Sequence, residues 1–223
     1  FRQDAASLRN LVLPAHIDDG VFTRCGTTDK PRGKDGAFIF YLDGIPAGGF
    51  ENHADGGGWQ NWCSRSENSM SALELREHQA RVAAAKKARD EELAAKRLAA
   101  KATAEKTWAS AAPARDHPYL AKKGVRAHGA RVKGGKLVLA VQDATGAIHS
   151  IQTITDEGEK LYLSGGRKQG CFFPVGKLDG AAVVLVAEGF ATAASAHEAS
   201  GLPAVAAFDC GNLRPVAEAL RKR

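Results

Sequence analysis

The spacing of apolar residues along the chain changes several times, and each change marks an expected element boundary. Residues 182–187, AVVLVA, form an unbroken run of small and β-branched side chains. Such a run between turn signals predicts a strand buried on both faces. Residues 190–200 are rich in alanine and are followed by Gly201 and Pro203, which predicts a helix with a glycine stop. Residues 204–208 form a second apolar run. Strand, turn, helix and strand make a βαβ unit whose two strands run parallel. Ligands of open α/β sheets sit beyond the carboxyl ends of the strands. Both strands run into an acid there, Glu188 and Asp209.

Earlier in the chain the pattern differs. Residues 8–15 read as an irregular leader, with Pro14 limiting any helix. Strands are expected at 20–25, 37–42 and 45–50, with Asp43-Gly44 as a hairpin turn. Glycines at 56–58 precede Trp59 and Trp62. Residues 1–66 thus read as a small β-rich N-terminal domain with Phe38, Phe40, Trp59 and Trp62 as its core. The alternative is that these rings stack bases beside Lys30, Arg32 and Lys34.

Residues 67–112 hold no glycine or proline and are dominated by Ala, Lys, Arg and Glu, which favours helix. Ser69 or Ser71 can start it, and Glu74 three residues after Ser71 completes a capping box. The apolar positions keep no heptad seam, so a long, solvated helical linker is expected rather than a coiled coil. A basic arm lying along DNA is the alternative, weakened by the interleaved Glu91, Glu92 and Glu105.

Residues 113–180 read as a second globular piece: a short helix at 117–125, strands at 131–141 and 146–154, and a glycine-rich bend after Lys160. Lys160, Arg167 and Lys168 surround that bend. Exposed backbone N–H groups with added cations suit a triphosphate or a nucleic-acid backbone. Lys123 and Lys136 add to the positive charge of the same piece. The expected class is therefore α+β and α/β, with residues 181–223 forming a partial parallel βαβ.

Charge and cysteine content change the picture modestly. The net charge of +6 is compatible with nucleic acid. No apolar run is long enough to cross a membrane. Cys25, Cys63, Cys171 and Cys210 are scattered, which points to reduced thiols and a cytoplasmic setting. Zinc held by Cys25, His53 and Cys63 is conceivable, but zinc sites normally bring paired ligands. The two strand-end acids pose a sharper question. A carboxylate beside a glycine that admits phosphate suits Mg²⁺ or Mn²⁺. Glu188 could equally cap the helix it precedes.

At this point the residues resemble a family. VLVAEGFATAAS resembles the first strand and Glu-Gly turn of Toprim domains. Its continuation through HEASGLP and AFDCGNL is similar to the DNA primases of conjugative plasmids and other mobile elements (TraC type). Residues 113–180 resemble the basic half of a DnaG-like catalytic core. The counterparts are Tyr119-Leu120 with Lys123-Gly124, Asp143 to Gly146, Lys160 to Ser164, and Lys168 to Gly176. The K-Y-L-N-S-like segment is degraded here.

The resemblance implies metal-dependent primer synthesis on single-stranded DNA from ribonucleoside triphosphates, with a helicase domain or partner nearby. It makes Glu188 catalytic and metal-binding, with Asp209 a weaker metal candidate. It assigns Lys160 and Lys168 to nucleotide and product. The Toprim pattern continues with a third strand ending in Asp-x-Asp. The chain stops in the helix before it, so an incomplete, inactive fragment is expected. A Toprim nuclease or topoisomerase-like enzyme, and a non-catalytic DNA-binding or DNA-protection factor, remain open.

Overall fold

The computed structural model describes residues 1–42, 44–65 and 70–222. It divides into two units, Phe1–Lys87 and Ala88–Arg223. The class is mixed α+β.

The first unit carries α1 (Arg2–Arg9) and an antiparallel sheet in chain order. Its strands are β1 (Leu11–Val12), β2 (Thr23–Thr27), β3 (Gly36–Tyr41), β4 (Ala47–Asn52) and β5 (Gln60–Cys63). The expected leader is instead helix and strand. Asn10 ends α1 in the left-handed region (φ 55°), a conformation asparagine tolerates, and turns the chain into β1. Alternation then sorts the aromatics. Phe38 faces Phe50 across β3 and β4, and both are buried with Leu11 and Cys25. Phe40 stacks on Phe1, and Trp62 packs on the same side. Trp59 stays partly exposed and stacks on Phe22. Asp43 of the expected hairpin turn lies outside the described residues.

Helix α2 (Ala72–Ser110) gives its first turns to the first unit and its last turns to the second. Its start is the expected capping box. The Glu74 N–H donates to Ser71 Oγ, and the Ser71 N–H donates to Glu74 Oε2 at 2.8 Å. These bonds, with Arg65, lower the Glu74 carboxyl to about 2. Ser69 lies outside the described residues. Residues 79–99 are exposed, but the Lys96 carbonyl already lies 3.3 Å from where a Cβ on Gly165 would stand. Ala100 and Ala104 are buried, and Ala104 packs on Val138 and Ile151 with Trp108 alongside. Alanines four apart make a flat stripe that lets a sheet approach closely, and they leave little apolar signal in a sequence.

The second unit continues with β6 (Ala112–Pro113), α3 (Pro118–Lys123), β7 (Arg131–Lys133), β8 (Lys136–Gln142), β9 (Ile148–Ile154) and β10 (Lys160–Tyr162). The strands form one antiparallel sheet, ordered β10-β9-β8-β7-β6. The single strand expected at 131–141 is two. Gly134 and Gly135 both have positive φ (56° and 74°), making a two-residue hairpin that pairs Lys133 with Lys136.

A third sheet is built from β11 (Phe173–Val175), β12 (Leu185–Ala187) and β13 (Ala204–Ala206), in the order β11-β13-β12. β12 and β13 are parallel and joined by α4 (Phe190–Ser200), while α5 (Leu213–Arg221) follows β13. The burial on both faces expected of residues 182–187 is not found there: β12 is the edge strand, half-buried, and Val183 before it is 53% exposed. β13, between its two neighbours, is the strand buried on both faces. One apolar core runs from Leu137, Leu139 and Ile154 of the second sheet to Phe173 and Ala204 of the third and Phe190 of α4.

Candidate nucleotide and nucleic-acid site

The period of two along β10 builds one wall of the site. Lys160 pairs with Ile154 and Tyr162 with Gln152, and these in turn pair with Leu137 and Leu139. All four partners are buried, three of them in the core shared with the third sheet. Lys160 and Tyr162 therefore face the third sheet. Lys160 Nζ lies 3.5 Å from where a Cβ on Gly189 would stand, so the ammonium group borders the turn after β12.

The parallel pair builds the other wall. Glu188 follows β12, and Asp209 follows β13 after Phe208. Tyr162 reaches both. Its hydroxyl donates to the Phe208 carbonyl at 3.0 Å. Burial first, then the charges of Asp209 and Glu188, push its phenol up. The Lys168 ammonium pairs with Asp209 Oδ2 and lies 4.9 Å from the centre of the Tyr162 ring. Asp209 Oδ1 accepts from the Asn212 N–H at 2.9 Å. Glu188 is exposed and makes no hydrogen bond or ion pair with the described residues.

Beside this pair a cleft of about 250 Å³ opens between α3, the turn before β10 and the start of α4. Lys122, Lys123, Glu157, Lys160 and Gly189 line it. Gly189 is the N-cap of α4 and gives no side-chain cap, so the first N–H groups of that helix have no side-chain acceptor there. An anion entering the cleft meets ammonium groups and the positive end of a helix together.

Of the cations singled out from the sequence, Lys123 and Lys160 thus line this cleft, and Lys168 stands beside Asp209. Lys136 and Arg167 do not join them. Leu137 faces the shared core, so alternation turns Lys136 to the opposite side of the sheet, that of Val138 and α2. The Arg167 guanidinium is held by Asp143 Oδ2 at 2.8 Å. That carboxylate also takes His149 Nε2 at 2.7 Å, Thr145 Oγ1 at 2.6 Å and the Thr145 N–H at 3.0 Å. Burial alone would raise the Asp143 carboxyl. The bonds from Thr145 and His149 overturn that and hold it well below the usual carboxylate range.

Two contributors escaped the sequence reading. Tyr162 lies two residues from Lys160, and that alternation was the available signal. Asn212 is 4% exposed and ties the Lys168 loop to the end of β13. Its amide Nδ2 donates to the carbonyls of Lys168, Cys171 and Ala207, and its Oδ1 accepts from the Gly170 N–H. A buried amide must find such partners. The spacing from Asp209 to Asn212 is that of a cap and was its only trace in the sequence.

Mg²⁺ or Mn²⁺ needs several oxygen ligands. Asp209 Oδ2 already holds the Lys168 cation, which would oppose a divalent ion there, and Oδ1 accepts from a backbone N–H. Among the described residues no group of three or more His, Cys, Asp or Glu is placed to hold a metal ion. These residues do not by themselves fit a divalent-metal site. Among the described residues, too, no helix is long and apolar enough to cross a membrane.

The chain is 35% identical over 234 aligned residues to a protein named DNA primase TraC from Escherichia coli, covering all of this chain and 22% of that protein. A second Escherichia coli protein named DNA primase TraC is 34% identical over 208 residues, covering 87% of this chain and 14% of that protein. The chain thus spans about a fifth or less of the length of these relatives. No family model matches it, and no solved structure matches it.

Proposed function

We propose that this stretch is the nucleotide- and template-binding part of a DNA primase of the mobile-element type, working within a longer protein. The observation that carries the reading is the convergence of Lys160 and Lys168 on the Glu188–Asp209 end of a parallel βαβ. A carboxylate beside several cations suits the handling of phosphate groups during the joining of ribonucleotides on a DNA template.

In this reading the Lys122, Lys123 and Lys160 cleft takes a phosphate-bearing group, a triphosphate or the template backbone. Lys168 supplies a further cation. Glu188, exposed and unpaired, is the carboxylate that faces the reacting hydroxyl. When bound in the complete protein, Mg²⁺ or Mn²⁺ would offset the charge of the transferred phosphate. It would need carboxylates beyond those described, so no step is assigned to it.

The test is made in the full-length protein. Glu188→Gln keeps the shape of the side chain and removes its charge. Primer synthesis on single-stranded DNA should fall by about 10²-fold or more, while binding of a labelled oligonucleotide stays within about twofold of the parent. Primer synthesis by the Gln variant at the parent rate would falsify the role of Glu188. Strand cleavage in place of ribonucleotide incorporation would move the protein to a Toprim nuclease.

A further inference from the structure

We infer that Asp209 is a positioning residue for Lys168 rather than a metal ligand, and that Tyr162 completes the same device. The inference rests on the reading above only in naming what Lys168 then meets, a phosphate.

Four observations carry it. First, both carboxylate oxygens of Asp209 are engaged, Oδ2 by the Lys168 ammonium and Oδ1 by the Asn212 N–H. Second, Lys168 is held from two sides, by Asp209 and by the face of the Tyr162 ring at 4.9 Å. An ammonium group has three N–H donors. Asp209 and the ring take two directions, and the third is left for an oxygen of an incoming phosphate. Third, Asp209 follows a residue in a strained conformation. Phe208 has φ 75°, which a bulky side chain rarely adopts. The Tyr162 hydroxyl holds the carbonyl of that same residue. Such strain persists only where the surroundings over-determine it, and it gathers at functional sites. Fourth, Asn212 bonds the backbone on both sides of the pair, at Lys168 and at Ala207. The loop that carries the lysine and the strand end that carries the aspartate are thereby kept in register.

The consequence opposes simple electrostatics. Removing a carboxylate next to a basic groove should strengthen binding of a polyanion. If Asp209 works by holding Lys168 in place, removing its charge should weaken binding instead. The effect should vanish once Lys168 is gone.

The test uses the chain of residues 1–223 and has two readouts. The first needs no ligand. Lysines are ¹³C-dimethylated, which keeps the charge and one N–H. The Lys168 methyl resonance, assigned by its loss in Lys168→Ala, should be displaced by the Tyr162 ring current. It should return to the position of free lysine in Asp209→Asn and in Tyr162→Leu. Tyr162→Phe keeps the ring and should retain most of the displacement, which separates loss of the ring from a general loss of structure. A resonance unmoved by Asp209→Asn overturns the inference.

The second readout is anisotropy of a labelled oligo-dT across a salt series. Asp209→Asn should weaken binding by about threefold, and Lys168→Ala by about fivefold with the salt slope reduced by about 0.7. The double variant should match Lys168→Ala alone. Tighter binding by Asp209→Asn, or an equal loss in both backgrounds, overturns positioning. If the resonance behaves as expected but Lys168→Ala binds like the parent, Lys168 is positioned for something other than DNA, and the primase reading of that residue fails by itself. Mn²⁺ followed by EPR closes the remaining route: retention by the parent chain and loss in Asp209→Asn would make Asp209 a ligand and defeat the inference.

Discussion

The second unit contains two aspartate–cation pairs that look alike in sequence and differ in kind. Asp143 holds Arg167 and His149 at the end of β8, within a closed set of donors from its own turn. Asp209 holds Lys168 at the end of β13, with that lysine 39% exposed and bordering the Glu188 site. The first carboxylate is saturated: five contacts, counting the Ala147 N–H, converge on it. Asp209 has two, the Lys168 ammonium and the Asn212 N–H. The two cations are about equally exposed, 36% for Arg167 and 39% for Lys168. What separates them is the place each borders: Arg167 serves the Asp143 turn, and Lys168 stands at the Glu188 end of the βαβ, although they are neighbours in sequence.

Stability should break the comparison most visibly. Asp143→Ala leaves Arg167 and His149 without their acceptor, and the loss should be about 2–4 kcal/mol. Asp209→Asn acts on a half-exposed pair and should cost under about 1 kcal/mol. Urea unfolding followed through NMR signals of β8 and β9 measures both. Equal losses would mean that the two pairs are of one kind.

Binding should show the reverse order. Lys160→Ala with Lys168→Ala removes two expected phosphate contacts, and the salt slope for oligo-dT should fall by about 1.4. Arg167→Ala, compared at a temperature where it stays folded, should leave that slope unchanged. A fall in slope with Arg167→Ala would return that residue to the binding set.

Acid sharpens the contrast further. The folded carboxyl of Asp143 is depressed, so its contribution is present above the unfolded value near 3.9 and fades as pH falls toward the folded one. The second unit should lose stability on acidification below about pH 4, and Asp143→Asn should flatten that part of the profile. A profile unchanged by Asp143→Asn would show that other carboxylates govern it.

The smallest effect is expected far from both pairs. Ser71→Ala removes one half of the capping box of α2. Amide exchange should quicken in the first turn after Ala72 and remain unchanged near Ala104, where the helix is packed on the sheet.

Local chemistry was readable wherever the chain decides locally. The capping box of Ser71 and Glu74, the helix Phe190–Ser200 with Gly201 as its left-handed cap, and the parallel pairing of β12 with β13 follow from side-chain pattern and stop signals. Glu188 and Asp209 at the strand ends were legible for the same reason. What the pattern missed was lost to long-range packing. The Gly134-Gly135 hairpin hid inside an apolar run, and the docking of α2 rests on alanines whose small side chains give no periodic signal.

The sequence by itself determined which residues could serve: acids after two strands, lysines around a glycine-rich bend, a glycine where a phosphate can approach. It did so because strand, helix and turn preferences act over a few residues. Only the tertiary structure decided how those residues are used. The register of β10 against β9 turned Lys160 and Tyr162 toward the acids, and the pleat of β8 turned Lys136 away. Asp143 claimed Arg167, and Asp209 with the Tyr162 ring fixed Lys168. Each of these outcomes joins residues far apart in the chain, by a hydrogen bond or a shared face that exists only once the sheets have packed, and local preference carries no information about them.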